Sequence, residues 1–363
     1  MAGVLGVALH CARGADLAQA VAAIARGECT ATSRIEVPVV DTLEILPYYG
    51  AGGLGLDEAC AVLEAARADA GLDRAAWSRS ALIVGSTSLT LPHHEGEGAL
   101  PRYPEGGVRH QARALMARSG IAGPDFTIQS ACTSSAHGVA LAHRLIASGH
   151  VAHAVILGWE QEHRFSTAGF AAMNVLSRTK MRPFGADRDG LILGEAVGAV
   201  VLGPTREGAP QLAGSANRID PQGESSADAS GAAFAATLRA ALAQAAIAPG
   251  QVSLIKAHAA GSLPNDAAES RALQSAFMAM PPVMSLKPYL GHTAGASGCA
   301  ELALLIGAWR SGFVPATPGC AEPDPALGIV PSSIAQPWKG GIAVLDFLGF
   351  GGGQAALVVR DAH

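Results

Sequence analysis

One cysteine stands where a reactive thiol is expected. Cys132 lies in the small-residue turn 130–135, between a short apolar segment and a helix predicted from residue 133. The first turn of a helix offers unpaired N–H groups and the positive end of the helix dipole, and both favour a thiolate. The turn therefore predicts a nucleophile. A free cysteine is also commonly a small buried core residue, and position alone leaves both interpretations open.

Two histidines lie in loops of similar character. His258 directly follows a predicted strand, and His292 comes 34 residues later in the glycine-rich segment 285–298. In α/β proteins the carboxyl end of a buried strand is a usual place for ligands and catalytic groups. With 12 histidines in the chain, each of these alone is more simply a hydrogen-bonded structural residue. Lys287, taken alone, is interpreted as a solvated surface lysine.

Short apolar runs alternate with helix-like segments along the chain. Runs without polar alternation are typical of strands buried on both faces, and their alternation with helices predicts an α/β protein with mainly parallel sheets. The predicted strands are 81–85, 154–158, 199–203, 253–257 and 342–345, and the predicted helices are 57–70, 133–148, 232–246, 266–280 and 296–309. The apolar stretch at 1–15 lacks a basic leading region, so it is predicted to be a buried first strand rather than a signal peptide.

The composition indicates a folded protein with a large core. Of its 363 residues 49% are hydrophobic and 15% charged, and the net charge is −5, which excludes a disordered chain. The length exceeds what one core usually supports, which favours two domains or a duplicated unit. Segment 203–230 is the predicted junction, and 91–107 and 315–337 are predicted to be functional covers.

Several classes of protein are disfavoured. The slightly acidic balance gives no general reason to bind nucleic acid. Six cysteines without a C-x-x-C pair do not resemble a disulfide framework or a zinc site. No segment is convincing as a membrane span, and a cytoplasmic location is expected.

Together, the motifs resemble the β-ketoacyl synthase family of the thiolase superfamily, in the right order over nearly the whole chain. The segments that carry the resemblance are 131–135 around Cys132, 169–173, 182–184, 188–190, 194–196, the loop from His258, Lys287 with 291–293, and 349–352. Any one of them would be weak evidence, and the resemblance is to a short, divergent member.

The resemblance implies a thiolase fold, with two similar βαβ halves stacked as five layers, α-β-α-β-α. Residues 1–205 would form the half that carries the nucleophile, and residues 206–363 the half that carries both histidines. Members usually assemble as dimers, and homodimer and heterodimer are both compatible with the sequence. No metal or other cofactor is implied, because the substrates are carried on the phosphopantetheine of acyl carrier protein.

The implied reaction is decarboxylative Claisen condensation of an acyl thioester with malonyl-acyl carrier protein, in fatty-acid, polyketide or polyene biosynthesis. By similarity, Cys132 would hold the acyl group. His258 and His292 would assist malonyl decarboxylation and stabilise the resulting enolate. The backbone N–H groups of Cys132 and Phe350 would form the oxyanion hole.

Other residues would support these groups in the same scheme. Lys287 and Glu301 would form a charge pair that orients the histidine region. Ser262, with Gly351 and Gly352 of the C-terminal loop, would contact the substrate and its carrier arm.

The chain departs from the family pattern at several places. Ala259 and Ala260 replace a glycine and a threonine in the histidine loop, Leu348 replaces a phenylalanine, and Gln354 replaces an asparagine. These changes concern the carrier arm, the acyl pocket and the dimer contacts. Acyl chain length and pathway are not readable from the sequence.

Three other functions are less compatible with these residues than a condensing enzyme is. A non-condensing partner subunit that sets chain length in a heterodimer is the alternative, although such subunits commonly lack the nucleophilic cysteine. A thiolase would need a C-terminal Cys-x-Gly motif, which Cys320 does not provide. A cysteine hydrolase would leave Lys287 unexplained. A further hypothesis is that Arg178, Lys180 and Arg182 dock an acidic carrier protein.

Overall fold

The computed structural model describes residues 1–39, 42–88, 91–95, 109–221 and 228–361. The strands in these ranges are β1 (Ala2–Cys11), β2 (Ser33–Val39), β3 (Thr42–Tyr48), β4 (Ala81–Gly85), β5 (Asp125–Ile128), β6 (Ala154–Glu160), β7 (Ala196–Gly203), β8 (Gln211–Ile219), β9 (Leu254–Lys256), β10 (Val283–Met284), β11 (Phe313–Val314), β12 (Gln336–Pro337), β13 (Gly341–Gly349) and β14 (Gly353–Asp361). The α-helices are α1 (Leu17–Ala25), α2 (Leu56–Asp69), α3 (Arg74–Ser78), α4 (Leu91–His94), α5 (His110–Ser119), α6 (Ser134–Ala147), α7 (Arg164–Ala172), α8 (Ala232–Ala245), α9 (Leu263–Ala276), α10 (Lys287–Leu290) and α11 (Ser297–Arg310).

The main sheet consists of two five-stranded halves with the same order. The first half runs β5-β4-β6-β7-β1 and the second runs β10-β9-β13-β14-β8. In each half the first two pairings are parallel and the last two are antiparallel. The halves join where β1 pairs with β8 through Ala2 and Gly3. The fold is therefore duplicated, although no repeat is visible in the sequence.

Helices cover both faces of each half. A core that contains α6 and α11 also includes side chains from both halves of the sheet, so these two helices form the central layer. Side chains of α2 and α5 pack on the outer face of the first half, and those of α8 and α9 pack on the outer face of the second. This gives five layers. Alanine and glycine let α6 and α11 lie close, since a Cβ on Gly298 would stand 2.2 Å from the Ala136 nitrogen.

Most predicted elements form within a few residues of their expected bounds. The strand predicted at 81–85 is β4 itself, and the N-terminal segment forms the buried strand β1. Helix α9 begins three residues before its predicted start. The expectation of mainly parallel sheets is wrong for β7, β1 and their counterparts, which pair antiparallel.

Two features were not predicted. The junction predicted at 203–230 contains β8, a full strand of the second half. Its small and polar residues do not show the apolar pattern that is typical of a strand. The hairpin of β2 and β3 also went unrecognised, and its inner side chains join the core beside Cys132. Of the predicted cover 91–107, residues 96–107 lie outside the described residues.

Candidate active site

Cys132 lies in a tight turn between β5 and α6. Ala131, just before it, has φ 49°, in the left-handed region that costs a non-glycine residue about 1 kcal/mol or more. Hydroxyl groups hold the turn: Ser134 Oγ donates to the Ala131 carbonyl at 2.6 Å, and Thr133 Oγ1 donates to the Ser130 carbonyl at 2.7 Å. Thr133 caps helix α6, which begins at Ser134, so the chain turns sharply at the cysteine.

Burial dominates the ionisation of Cys132. Desolvation raises the pKa of its thiol to about 12, although Lys287 and hydrogen bonds from the backbone N–H groups of Phe350 and Cys132 act to lower it. The expectation that the helix start yields a thiolate is therefore wrong for the resting side chain. The two N–H groups assigned by resemblance to an oxyanion hole do converge on this sulfur.

The structure brings Cys132, His258 and His292 together around one small cavity. The two histidine rings lie 5.4 Å apart, edge to face. Their backbones come from separate elements, because His258 follows β9 and His292 follows α10. All three side chains are buried.

Buried carboxylates hold the backbone of the His258 loop. The N–H of His258 donates to Asp346 Oδ1 at 2.5 Å, and the N–H of Ala259 donates to Glu269 Oε2 at 2.8 Å. The N–H of Gly261 donates to Asp266 Oδ1 at 2.9 Å. Three peptides of this loop, at 258, 259 and 261, are thereby fixed, although Ala259 has φ 45°.

The backbone on both sides of His292 is also held. The His292 N–H donates to the Ile192 carbonyl at 2.7 Å, and its carbonyl accepts from the Gly194 N–H at 3.1 Å. The Gly295 N–H donates to Glu160 Oε2 at 2.9 Å. This places the segment 192–194, part of the motif region of the sequence, directly against the histidine.

Both histidines are held in the neutral form. Desolvation lowers the pKa of His258 well below its usual value, with further contributions from Lys287, His292 and Lys256. Desolvation also lowers the pKa of His292 well below its usual value, followed by Lys287 and Lys256. A neutral imidazole retains one N–H that can donate to a developing oxyanion.

Lys287 is completely buried, so its interpretation as a solvated surface lysine is wrong. Its Nζ donates to Glu301 Oε1 at 2.5 Å, which is the pairing expected from the resemblance. Lys256 Nζ donates to the second oxygen of the same carboxylate. Burial acts to raise the pKa of Glu301, but the two lysines lower it below its usual value.

Phe350 closes the cavity. It lies in the turn between β13 and β14, and its ring stacks on Phe170 with centroids 5.0 Å apart. Gly351 and Gly352 have φ near 70°, and a Cβ on Gly352 would stand 2.0 Å from the Asp220 carbonyl oxygen. The cavity has a volume of about 20 Å³, roughly that of one water molecule. An acyl chain fits only if these side chains move.

The structure also locates Ser262, which was predicted to contact the substrate, and the basic residues that were predicted to dock a carrier protein. Ser262 is buried, and its Oγ has no hydrogen-bond partner within the described ranges. Of the basic residues predicted to dock a carrier protein, Arg178 pairs with Glu44 at 2.8 Å, and Arg182 pairs with Asp187 at 2.9 Å. Acidic neighbours thus neutralise two members of that set.

Five charged residues buried near the histidines were not predicted from the sequence. These are Glu160, Lys256, Asp266, Glu269 and Asp346, all less than 5% exposed. A signal was present for two of them, because Lys256 and Asp346 interrupt apolar strands.

In the part of the chain that the structure describes, no three His, Cys, Asp or Glu side chains are grouped to hold a metal ion. No helix there has the length and hydrophobicity needed to cross a bilayer.

Residues 59–208 match the family model described as β-ketoacyl synthase, N-terminal domain, and residues 211–321 match the C-terminal domain. The mitochondrial 3-oxoacyl-[acyl-carrier-protein] synthase of Arabidopsis thaliana is 31% identical over 266 residues, which cover 66% of this chain and 57% of that protein. The 3-oxoacyl-[acyl-carrier-protein] synthase 2 of Mycobacterium tuberculosis is 30% identical over 272 residues, 70% of this chain and 64% of that protein. The chain thus spans less than two thirds of the length of these relatives.

Solved structures agree on the fold. A β-ketoacyl synthase from Burkholderia phymatum has a TM-score of 0.86 at 21% identity and covers 100% of this chain and 99% of its own. A ketosynthase in complex with its chain length factor from Xenorhabdus doucetiae has a TM-score of 0.82 at 23% identity and covers 99% and 98%. The predicted thiolase fold is therefore confirmed. Two family models that together match well over half of its residues show that this chain belongs to the β-ketoacyl synthase family.

Proposed function

We propose that this protein catalyses decarboxylative Claisen condensation between an acyl thioester and a malonyl thioester, both carried on acyl carrier protein. The observation that carries the proposal is the convergence of Cys132, His258 and His292 on one cavity, with two backbone N–H groups directed at the sulfur. One nucleophile and two neutral imidazoles match the two steps that this condensation requires.

The first step transfers the acyl group to Cys132. Its sulfur attacks the thioester carbonyl, and the N–H groups of Cys132 and Phe350 stabilise the negative oxygen of the tetrahedral intermediate. The bond from the acyl carbon to the carrier sulfur then breaks. The departing carrier thiolate takes up the proton that the Cys132 thiol loses, so the exchange is balanced.

The second step forms the carbon–carbon bond. The malonyl thioester loses carbon dioxide, and His258 and His292 donate hydrogen bonds to the oxygen of the enolate that remains. The enolate carbon attacks the acyl carbonyl on Cys132 as the carbon–sulfur bond breaks. The released Cys132 thiolate takes up a proton from solvent, and the product leaves as a β-ketoacyl thioester on the carrier.

The carrier arm is proposed to enter beside Ser262, whose buried Oγ has no hydrogen-bond partner among the residues that the structure describes. Gly351 and Gly352 would let the Phe350 turn move aside for the acyl chain. A dimer, with a second copy or with another ketosynthase-like subunit, is proposed as the working assembly.

Acylation of Cys132 tests the first step. We expect intact-mass spectrometry to find one acyl adduct after incubation with an acyl-carrier-protein thioester, and none in Cys132→Ala. Cys299→Ala is the matched control, because this thiol is also buried and burial also raises its pKa to about 12, but it lies outside the cavity. An undiminished adduct in Cys132→Ala contradicts the proposal.

Loss of carbon dioxide release tests the second step. We expect His292→Ala to lower the rate of malonyl decarboxylation by about 100-fold or more, which is the loss seen when an oxyanion donor is removed. Acylation of Cys132 should remain close to that of the unchanged protein. Carbon dioxide release retained in this variant overturns the role of His292.

A non-condensing, chain-length-determining subunit remains the second candidate, supported by the closed cavity and by Ala259 and Ala260 in the histidine loop. Native mass spectrometry of the acylation sample discriminates the two. A protein that neither acylates nor decarboxylates alone, but forms a heterodimer with an active ketosynthase, would be such a subunit.

A further inference from the structure

Lys256 is a buried cation that the proposed chemistry does not use. It ends β9 and is fully buried. Its Nζ donates to Glu301 and to the Asp346 carbonyl oxygen at 2.9 Å, and it lies 3.7 Å from the centre of the Phe347 ring. An ammonium group removed from water is unfavourable unless such contacts compensate it.

Glu301 cannot balance this charge alone. One of its oxygens accepts from Lys287 and the other from Lys256, so one carboxylate serves two ammonium groups. With both lysines protonated, the cluster carries one excess positive charge at the base of the histidine site. Desolvation lowers the pKa of Lys256, whereas Glu301 acts to raise it and Lys287 acts to lower it. A buried excess charge requires an anion close by.

The compensating anion lies in a pair of buried carboxyl groups. Asp346 and Glu269 contact each other, and each already accepts one backbone N–H of the histidine loop. Their remaining oxygens, Asp346 Oδ2 and Glu269 Oε1, are buried without an N–H or O–H donor among the described residues. One proton placed between these carboxyl groups satisfies both oxygens and leaves a single negative charge.

We propose that Lys256 is a positioning residue whose charge is matched by a singly protonated Glu269–Asp346 pair, and that this neutral network fixes the backbone of His258. Desolvation and, for Glu269, the neighbouring Asp346 raise the pKa of both carboxyl groups, which agrees with the retained proton. Its catalytic consequence rests on the function proposed above. The ionisable side chains that act on the pair are Lys256, Asp266 and Glu301, and His258 donates its backbone N–H. Lys287 acts on His258 and on Glu301.

Infrared spectroscopy tests the shared proton directly. At pH 8, where Asp266 with its pKa of about 6 is ionised, we expect the carbonyl stretch of one buried protonated carboxylic acid. Glu269→Gln should remove this band and still fold, because the amide donates to Asp346 and leaves two anions against two lysines. A band that persists in Glu269→Gln, or is missing from the unchanged protein, overturns the proposal.

The charge balance predicts a specific rescue. Lys256→Met removes a cation, so the pair should bind a second proton in the folded state. The unfolding equilibrium constant should then rise by an additional factor of about ten per pH unit between pH 7 and 8.5. Adding Asp346→Asn removes the matching anion and should restore the original pH dependence. If Lys256 merely fills space, the unfolding equilibrium constants of Lys256→Met and of the unchanged protein will depend equally on pH, and that result refutes the network.

Folding and catalysis can be separated in the same variants. If Lys256→Met fails to fold, recovery of folding in the double variant supports the proposal. If both variants fail to fold and the infrared band persists in Glu269→Gln, the proposal is refuted. We expect Lys256→Met to lower kcat for malonyl decarboxylation about 10- to 100-fold, as for a displaced catalytic group, with Cys132 acylation retained. If the unchanged protein does not decarboxylate, the proposed function fails, whereas the proton measurements still decide the network.

Discussion

At Cys132, burial and hydrogen bonding act in opposite directions on the pKa. Burial has the larger effect, and the thiol remains protonated near neutral pH. In the proposed reaction, the N–H groups at this turn therefore serve an incoming carbonyl oxygen more than a resting thiolate. The proposal has the sulfur become reactive when a substrate carbonyl enters and the thiol proton is transferred to the leaving group.

Alkylation kinetics check this ionisation. Because only the thiolate reacts, and the pKa of Cys132 is about 12, its rate of alkylation by iodoacetamide should rise about tenfold per pH unit from pH 7 to 9 without a plateau. Peptide mapping by mass spectrometry gives the rate for this residue alone. A plateau below pH 9 would show a thiolate in the resting protein.

At the level of strands and loops, the same hydrogen bond between a loop and a carboxylate occurs in both halves of the fold. Two residues after the end of β4, the Thr87 N–H donates to Glu160 on β6 at 3.0 Å. Two residues after the end of β9, the His258 N–H donates to Asp346 on β13 at 2.5 Å. A carboxylate on the parallel neighbour thus fixes the loop that leaves each strand.

The His258 loop retains backbone strain that can be relieved. Ala257→Gly and Ala259→Gly each remove a fully buried methyl group, but only at 259 does glycine also relieve the penalty of a Cβ at a φ of 45°. Ala259→Gly should therefore destabilise the protein by about 1 kcal/mol less than the matched control Ala257→Gly. Thermal unfolding of both variants measures the difference, and a midpoint for Ala259→Gly that is no higher than that of Ala257→Gly would contradict the argument.

At the scale of the whole molecule, the two halves share one core. Helix α11 comes from the second half, yet its side chains pack with strands of both halves. The nucleophile and both histidines are therefore aligned by a packing interface between the halves. A disturbance of that interface should affect folding and the site together.

Gly298→Ala tests this interface. The added Cβ would stand 2.2 Å from the Ala136 nitrogen and 2.6 Å from its Cα, so α6 and α11 must separate. We expect destabilisation of about 3 kcal/mol or more, at the upper end of overpacking effects. Gly250→Ala, with no atom within 4 Å of the new Cβ, should change little. Denaturant unfolding compares the two, and equal stabilities would refute close packing of the helices.

The sequence predicted elements whose signal is local. Strand β4 and helices α6 and α11 have continuous apolar patterns, and the turn at Cys132 and the glycine-rich loops are visible in the residue order. Strand β8 was not predicted, because its own residues show no clear strand pattern and it is stabilised by pairing with β14, more than 130 residues away. Antiparallel pairing in each half was missed for the same reason.

The family, the α/β class and the identity of the candidate nucleophile and histidines could be predicted from residue order, because these depend on residue types at fixed spacing. The charge states of those residues could not, because they depend on how the chain packs. Lys287 is buried, Lys256 joins it at Glu301, and Cys132 is a thiol, since desolvation and ionic contacts depend on neighbours from distant segments. Burial is a property of the packed chain, and it governs the ionisation on which the chemistry depends.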